Sequence, residues 1–395
     1  EVLRRESRQM EGGWYSTEKI KRTRERLDRL GYFSDVNVET PAVPGSTDQV
    51  DVNLNVTEKP TGNVMVGAGF SSSEGIIASG SVSQNNWLGT GKQLSVQLNT
   101  SKINTVYALS YTDPYYTVDG VSRGFDFYKR KTNATQLTAI GSYESNSLGG
   151  GIRFGVPLNE QDAINFGLNV DDTQLTVTTD SPQRYQDYVA AFGNRNNSVA
   201  ATLGWARDSR DSLLYPTKGQ LHRLSGELAL PIGDLKYYKA SYQYQMFHPI
   251  VNDFVLMLNG ELGVAKGYGG KDLPFFKNFY AGGVSSVRGY DTGSIGPKDI
   301  NGLALGGTRR VVGNAEILFP FPGVKHDKSL RASVFFDGGA IYDQSGSGDG
   351  FRYSTGLAIN WSSPFGPLKF SFAKPLNSKE GDKLQRFQFQ FGSVF

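Results

Sequence analysis

From Thr61 to its end the chain alternates apolar and polar residues with a period of two, and few folds can use such a pattern over about 330 residues. In "KQLSVQLNT", Leu94, Val96 and Leu98 share one face, and in "DFVLMLNGELGV" Phe254, Leu256, Leu258, Leu262 and Val264 do so. In "FRYSTGLAINW", Phe351, Tyr353, Leu357, Ile359 and Trp361 oppose Arg352, Ser354 and Asn360. In "LQRFQFQFGSVF", Phe387, Phe389 and Phe391 oppose Gln388 and Gln390. A soluble sandwich also alternates, but it breaks for polar loops every ~8–12 residues. Here the runs approach the ~9–11 residues of a tilted strand that crosses a bilayer. At about 20 residues per strand and connector the region holds about sixteen strands, an even number as in single-chain outer-membrane barrels. Some connectors are tight ("WLGTGK", "SSPFGP") and others long. The expected fold is mainly β: a sixteen-stranded antiparallel transmembrane β-barrel over residues 61–395, preceded by a small α+β domain over residues 1–60.

Composition agrees with a barrel better than with a water-soluble protein. Mean hydropathy is −0.38, and no segment approaches the ~18 apolar residues of a membrane helix. Yet 12% of residues are aromatic and 48 are glycine, while only 38% are hydrophobic. Strands that show lipid only every second residue have this balance. The net charge is +3, from 41 basic and 38 acidic residues, so no nucleic-acid partner is expected. There are no cysteines. His222, His248 and His326 lie far apart, outside any nucleophile motif or paired-histidine spacing, so neither an enzyme nor a metal or other cofactor is expected. With neither a start methionine nor a signal peptide, the sequence reads as a trimmed or mature piece of something longer.

Residues 1–60 differ in pattern. "STEKIKRTRERLDRLGYF" reads as a helix capped by Ser16 and stopped at Gly31, with Ile20, Leu27 and Leu30 along one stripe. "VLRRESRQM" is a shorter helical candidate, and "FSDVNVET" and "DQVDVNLNVTEK" alternate as strands. The module has 10 basic and 11 acidic residues, a mixed surface.

One connector stands out. "GGVSSVRGYDTGSIGPKD", Gly282–Asp299, places glycines and one arginine where a short turn would suffice. Strand parity shows what the arginine can reach. In "TRRVVGNAEILFP", Val311, Ile317 and Phe319 take the lipid face, so Glu316, Asn314 and Arg310 point inward. In "SLRASVFFDGGAIYD", Leu330, Ala332, Val334 and Phe336 face lipid, and Asp337 points inward with Arg331 and Ser333. If residues 282–304 fold into the lumen, Arg288 meets two carboxylates with a planar fork suited to paired hydrogen bonds. Gly282, Gly283 and Gly289 would permit the sharp turns and close approach. The segment also resembles a phosphate-cradling loop, but it lacks the Lys-Ser/Thr end.

"FYAGGVSSVRGY…IGPK", "AEILFP", "FFDGGAIYD" and "QFQFG" resemble the BamA family, the central subunit of the Gram-negative outer-membrane protein assembly machine. The resemblance runs from "EVLRRESRQMEGGW" through "RLDRLGYFSDV", "PGSTDQVDV", "QNNWLGTG", "DPYYTVDGVS", "GGKDLPFFKNFYAGG" and "SPFGPLKFSFAKPL" to Phe395. It implies that residues 1–60 are the last polypeptide-transport-associated (POTRA) domain, lacking its first strand and lying in the periplasm. The rest would be an insertase barrel in the outer membrane. It also implies an internal clamp of Arg288 with Glu316 and Asp337, and a contact through Glu11 with a BamD-like lipoprotein. Other Bam lipoproteins, unfolded outer-membrane β-barrel clients and outer-membrane lipid would be further partners. The connector after "IGPK" is only "DINGLALGGT", shorter than in several family members, so a thinner outer cap is expected. Barrels of this kind are held to close imperfectly between first and last strands, here Gly62–Phe70 and Gln385–Val394. The seam would carry Val64, Val66, Gly67 and Gly69 on one side and Phe389, Phe391 and Gly392 on the other, with the glycines weakening side-chain packing. A related POTRA–barrel transporter of the two-partner secretion type and a passive porin are the alternatives.

Overall fold

Two helices and two strands precede the barrel: α1 (Val2–Glu6), α2 (Thr17–Leu30), β1 (Phe33–Glu39) and β2 (Asn53–Glu58). The computed structural model describes residues 2–159, 161–213, 215–251, 253–324, 329–363 and 366–392. The Ser16 hydroxyl accepts from the Lys19 amide, and Gly31 ends α2 in the left-handed region at φ 69°. Leu27 is fully buried, whereas Ile20 and Leu30 are half-buried. This module rests on the barrel through Arg26. Its guanidinium holds the buried Glu6 at 2.6 Å and donates to the Tyr115 hydroxyl at 3.0 Å, while Arg5 lies over the Tyr115 ring.

The remaining elements are β3 (Gly62–Ser71), β4 (Gly75–Trp87), β5 (Lys92–Thr100), β6 (Asn104–Asp113), β7 (Ser122–Asn133), β8 (Glu144–Pro157), β9 (Asp162–Thr176), α3 (Gln183–Phe192), β10 (Arg195–Asp208), β11 (Gly219–Ala229), β12 (Tyr237–Val251), β13 (Phe254–Gly267), β14 (Gly289–Tyr290), β15 (Arg309–Pro320), β16 (Leu330–Tyr342), β17 (Arg352–Ser363), β18 (Gly366–Pro375), β19 (Leu384–Gln385) and β20 (Phe387–Phe391). Sixteen of these strands form one closed antiparallel barrel in chain order, with β20 returning to β3. The pair β14 and β19 forms a separate small sheet. Parity holds along the wall: Ile317, Val334 and Phe336 are exposed outward, while Glu316, Ser333 and Asp337 are buried inward.

The rim beside the N-terminal module is the near rim, and the opposite one the far rim. At the far rim the long connector 268–308 turns back into the barrel. Phe279, Ala281, Val287, Tyr290 and Ile295 pack there with Val312 and Ile341 of the wall. The helix α3 packs on this connector through Tyr185 and Tyr188 against Phe275 and Leu305. The alternation along the chain leads one to expect no helix there, although Tyr185, Tyr188, Val189 and Phe192 sit at helical spacing between Pro182 and Gly193. The last strand also begins later than expected. Gln385 belongs to β19, which leaves β18 to pair with β14, so the wall resumes only at Phe387. Val394 and His326 lie outside the described residues.

The connector sits against a wall thinned to receive it. A Cβ on Gly339 would lie 2.7 Å from Val287 Cγ2 and 3.2 Å from Val312 Cγ2. At the far rim, burial alone would raise the Asp382 carboxyl, but bonds from Arg352 Nε (2.7 Å), the Lys379 amide (2.8 Å) and Lys298 Nζ (2.9 Å) outweigh it and hold it below its usual value.

Gly339→Val is expected to lift the connector off the wall and destabilise the barrel by about 1–3 kcal/mol, read as a lower urea midpoint in lipid vesicles. Because the Asp382 pKa is depressed in the fold, its contribution is complete above the ordinary carboxylate pKa of about 3.9 and is lost as pH falls through the folded value. The hydrogen-exchange protection factors of residues 376–383, each rate taken relative to the unstructured chain at the same pH, should therefore stay constant from about pH 8 to 5 and fall only below about pH 4.

Candidate functional site

Arg288 is held in the lumen by two carboxylates on adjacent strands. Its Nε donates to Asp337 Oδ2 at 2.7 Å and its Nη2 to Asp337 Oδ1 at 2.9 Å. The same Nη2 donates to Glu316 Oε2 at 3.1 Å, and the Arg288 amide to Asp337 Oδ2 at 3.1 Å. All three residues are buried, and Asp337 is completely so. β15 and β16 place them by register, with Asn314 opposite Asp337 and Phe335 opposite Glu316.

Three neighbours beyond those expected from the sequence complete the clamp. Asn314 Nδ2 donates to Asp337 Oδ1 at 2.8 Å and to Ser286 O at 2.6 Å. The Ser333 hydroxyl donates to Glu316. The Arg288 guanidinium lies over the Phe335 ring, its Cζ 3.5 Å from the ring centroid. Parity gives the inward direction of Asn314 and Ser333, and of Phe335 too, since Phe336 takes the lipid face, but it does not tell which inward side chains the guanidinium meets. Gly289 takes φ 90°, and a Cβ there would meet Ala373 Cβ at 3.0 Å, so the backbone after Arg288 runs directly along the wall.

Below the clamp lies a cavity of about 510 Å³, lined among others by Arg288, Glu316, Asn259, Arg331 and Tyr215. Its floor is the near-rim connector between β10 and β11, whose Tyr215 and Pro216 carbonyls accept from Arg331 of β16 at 3.2 and 3.0 Å. The connector thus reaches from β10 and β11 to β16 at the near rim.

The seam is the second candidate site. Only two residue pairs join β20 to β3 among the described residues, Gln390 with Ser71 and Phe391 with Phe70. Other neighbouring strands share between five pairs (β18 with β20) and fourteen (β12 with β13). One further bond runs from the Ser72 amide to Phe389 O at 3.0 Å, and the Phe70 and Phe389 rings stack across the seam at 5.5 Å. Gly69 and Gly392 face each other closely enough that a Cβ on Gly69 would meet Phe391 O at 2.5 Å. Gly67 instead faces Ser79 of β4. Val64 and Val66 have no seam partner among the described residues, and Val66 is 88% exposed. Glu11 lies apart from both sites, exposed and paired with Arg4 at 3.2 Å, near the exposed Met10 and Trp14.

These features define a class: an antiparallel sixteen-stranded barrel with an α+β module before its first strand and an arginine-bearing connector clamped inside. Comparison with known proteins agrees. The family model "Omp85 superfamily domain" matches residues 86–395, and a POTRA model, "Surface antigen variable number repeat", matches residues 1–59. The outer membrane protein assembly factor BamA of Neisseria meningitidis is 40% identical over 435 residues, covering all of this chain and 55% of that protein. BamA of Nitratidesulfovibrio vulgaris is 31% identical, covering all of this chain and 49% of that one. The crystal structure of Haemophilus ducreyi BamA lacking POTRA domains 1–3 superposes with a TM-score of 0.93 at 30% identity, covering 98% of this chain and 80% of that one. CdiB from Acinetobacter baumannii shares the fold alone, with a TM-score of 0.60 at 14% identity. The chain belongs to the Omp85 superfamily, and within it the similarity to BamA runs from end to end. It spans about half the length of the curated relatives it matches.

Removing one partner of a buried, hydrogen-bonded ion pair costs about 3–5 kcal/mol because the other charge is stranded. Arg288→Ala would strand two carboxylates, so a loss of that order is expected in urea titrations of the folded barrel. Arg288→Lys, which keeps the charge without the fork, should recover only part of it.

Proposed function

We propose that this chain is the membrane-inserted part of a non-enzymatic insertase that folds β-barrel proteins into the Gram-negative outer membrane. The seam between β3 and β20 acts as a lateral gate. The observation that carries this reading is the two-pair register of that seam among the described residues. In hydrocarbon an unpaired N–H or C=O costs several kcal/mol, so an edge that can be uncovered is a template for any incoming strand. Pairing by β-augmentation uses backbone bonds and is indifferent to client sequence. No bond need be broken and no nucleotide consumed.

Wall height supports the same reading. Among the described residues β20 has 5 residues and β3 has 10, while β8, β9 and β10 have 14, 15 and 14. A belt that is lower beside the seam favours local thinning of the bilayer, which eases insertion there. A passive porin is less well supported, because the 268–308 connector and the 209–218 connector both cross the lumen.

In this reading residues 1–60 are the last POTRA domain of a series and lie in the periplasm at the near rim, with residues 61–395 forming the barrel and 282–304 its inward-folded loop. The exposed Glu11, flanked by Met10 and Trp14, is the contact for a BamD-like lipoprotein of the same machine. Other Bam lipoproteins, unfolded barrel clients and outer-membrane lipid are the remaining partners.

Cysteines at Ser71 and Gln390, which face each other across the seam, provide the test. In the oxidised protein, folding of an unfolded barrel client in vesicles supplied with the lipoproteins is expected to fall to the unassisted rate and to return on reduction. Unimpaired client folding through a fully locked seam would rule out the gate.

A further inference from the structure

The clamped connector also holds the last strand. Gln388 lies on the inward face of β20 and is 1% exposed. Its Oε1 accepts from the Gly289 amide at 3.2 Å, and its Nε2 donates to Tyr290 O at 2.8 Å. These are the two residues that directly follow Arg288. The same dipeptide pairs through its backbone with β19, Gly289 opposite Gln385 and Tyr290 opposite Leu384. A primary amide supplies one acceptor and one donor side by side, so Gln388 reproduces with its side chain the pairing that β14 and β19 make with their backbones. Among the described residues β20 therefore has three attachments: five pairs to β18, two pairs to β3, and this grip from inside.

We infer that Gln388 is a positioning residue that couples the arginine clamp to the seam. Arg288 fixes the connector to β15 and β16, Gln388 fixes β20 to the connector, and β3 closes on a strand whose place is set from the lumen. When the seam parts, β20 stays with the connector and the edge of β3 is the one released. This deepens the gate reading and rests on it. Closure of the seam can nevertheless be measured without any client.

The test uses the full-length protein in outer-membrane vesicles, with cysteines at Ser71 and Gln390 to report closure by their rate of oxidation. Folding is checked by heat-modifiable migration. Gln388→Ala is expected to slow oxidation on the order of fivefold or more. Gln388→Leu, similar in size but unable to bond, should behave like alanine; a parental rate in that variant would show that packing alone positions the strand and would overturn the inference. Gln388→Asn keeps both the acceptor and the donor, uncharged, but one methylene short of the connector, so an intermediate rate is expected. This milder variant decides the matter if the others fail to fold, and a parental rate in it would also overturn the inference. Slowed oxidation in a protein whose client folding is insensitive to the Ser71–Gln390 lock would uphold the coupling and remove only the gate.

Discussion

A strand in hydrocarbon must pair every backbone N–H and C=O, because water cannot substitute. That requirement closes the sheet on itself and makes any weakly paired junction the place where the wall can open. In this chain the requirement is met generously from β3 around to β18 and sparingly between β20 and β3. Among the described residues the short register, the facing glycines Gly69 and Gly392, and the five-residue length of β20 all fall at the same junction. A barrel selected only for stability would have little reason to place them together.

The lumen compensates for what the seam lacks. Arg288 brings a single positive charge to two carboxylates, and the Asn314 amide and the Ser333 hydroxyl donate to the same two carboxylates. Buried ion pairs contribute little net stability by themselves, but they penalise any arrangement that separates them. The connector is therefore held in one position, and its apolar underside with Val287 and Ile295 seals against the wall. Gln388 extends that fixed position to the last strand. The rigid part of the barrel and its weakest junction are thus joined through three consecutive residues, Arg288, Gly289 and Tyr290.

Much of this is legible in the sequence, for a specific reason. In a strand the direction of each side chain follows from counting, so the order of residues alone turns Glu316 and Asp337 inward. The closed sixteen-stranded barrel follows from run length. What cannot be counted is where a loop goes once it leaves the wall. The regular alternation of "LQRFQFQF" continues through Arg386, yet the chain changes partners there, from β14 to β18, because the connector occupies the inside of the barrel. Gln388 reads as one more inward glutamine for the same cause: its parity is plain, but its partners come from a segment about a hundred residues earlier. The helix α3 is hard to see in the sequence because a ten-residue helical pattern is easily lost between long β runs.

The central claim is that the edge of β3 is weakly covered while its other side is firmly paired to β4. Hydrogen exchange of the folded protein in bilayers measures this residue by residue. The account predicts an alternating pattern along Asn63–Gly69: amides directed at β4 protected like those of the rest of the wall, and amides directed at the seam exchanging orders of magnitude faster. Uniform protection along β3, equal to that of β4 and β5, would contradict it.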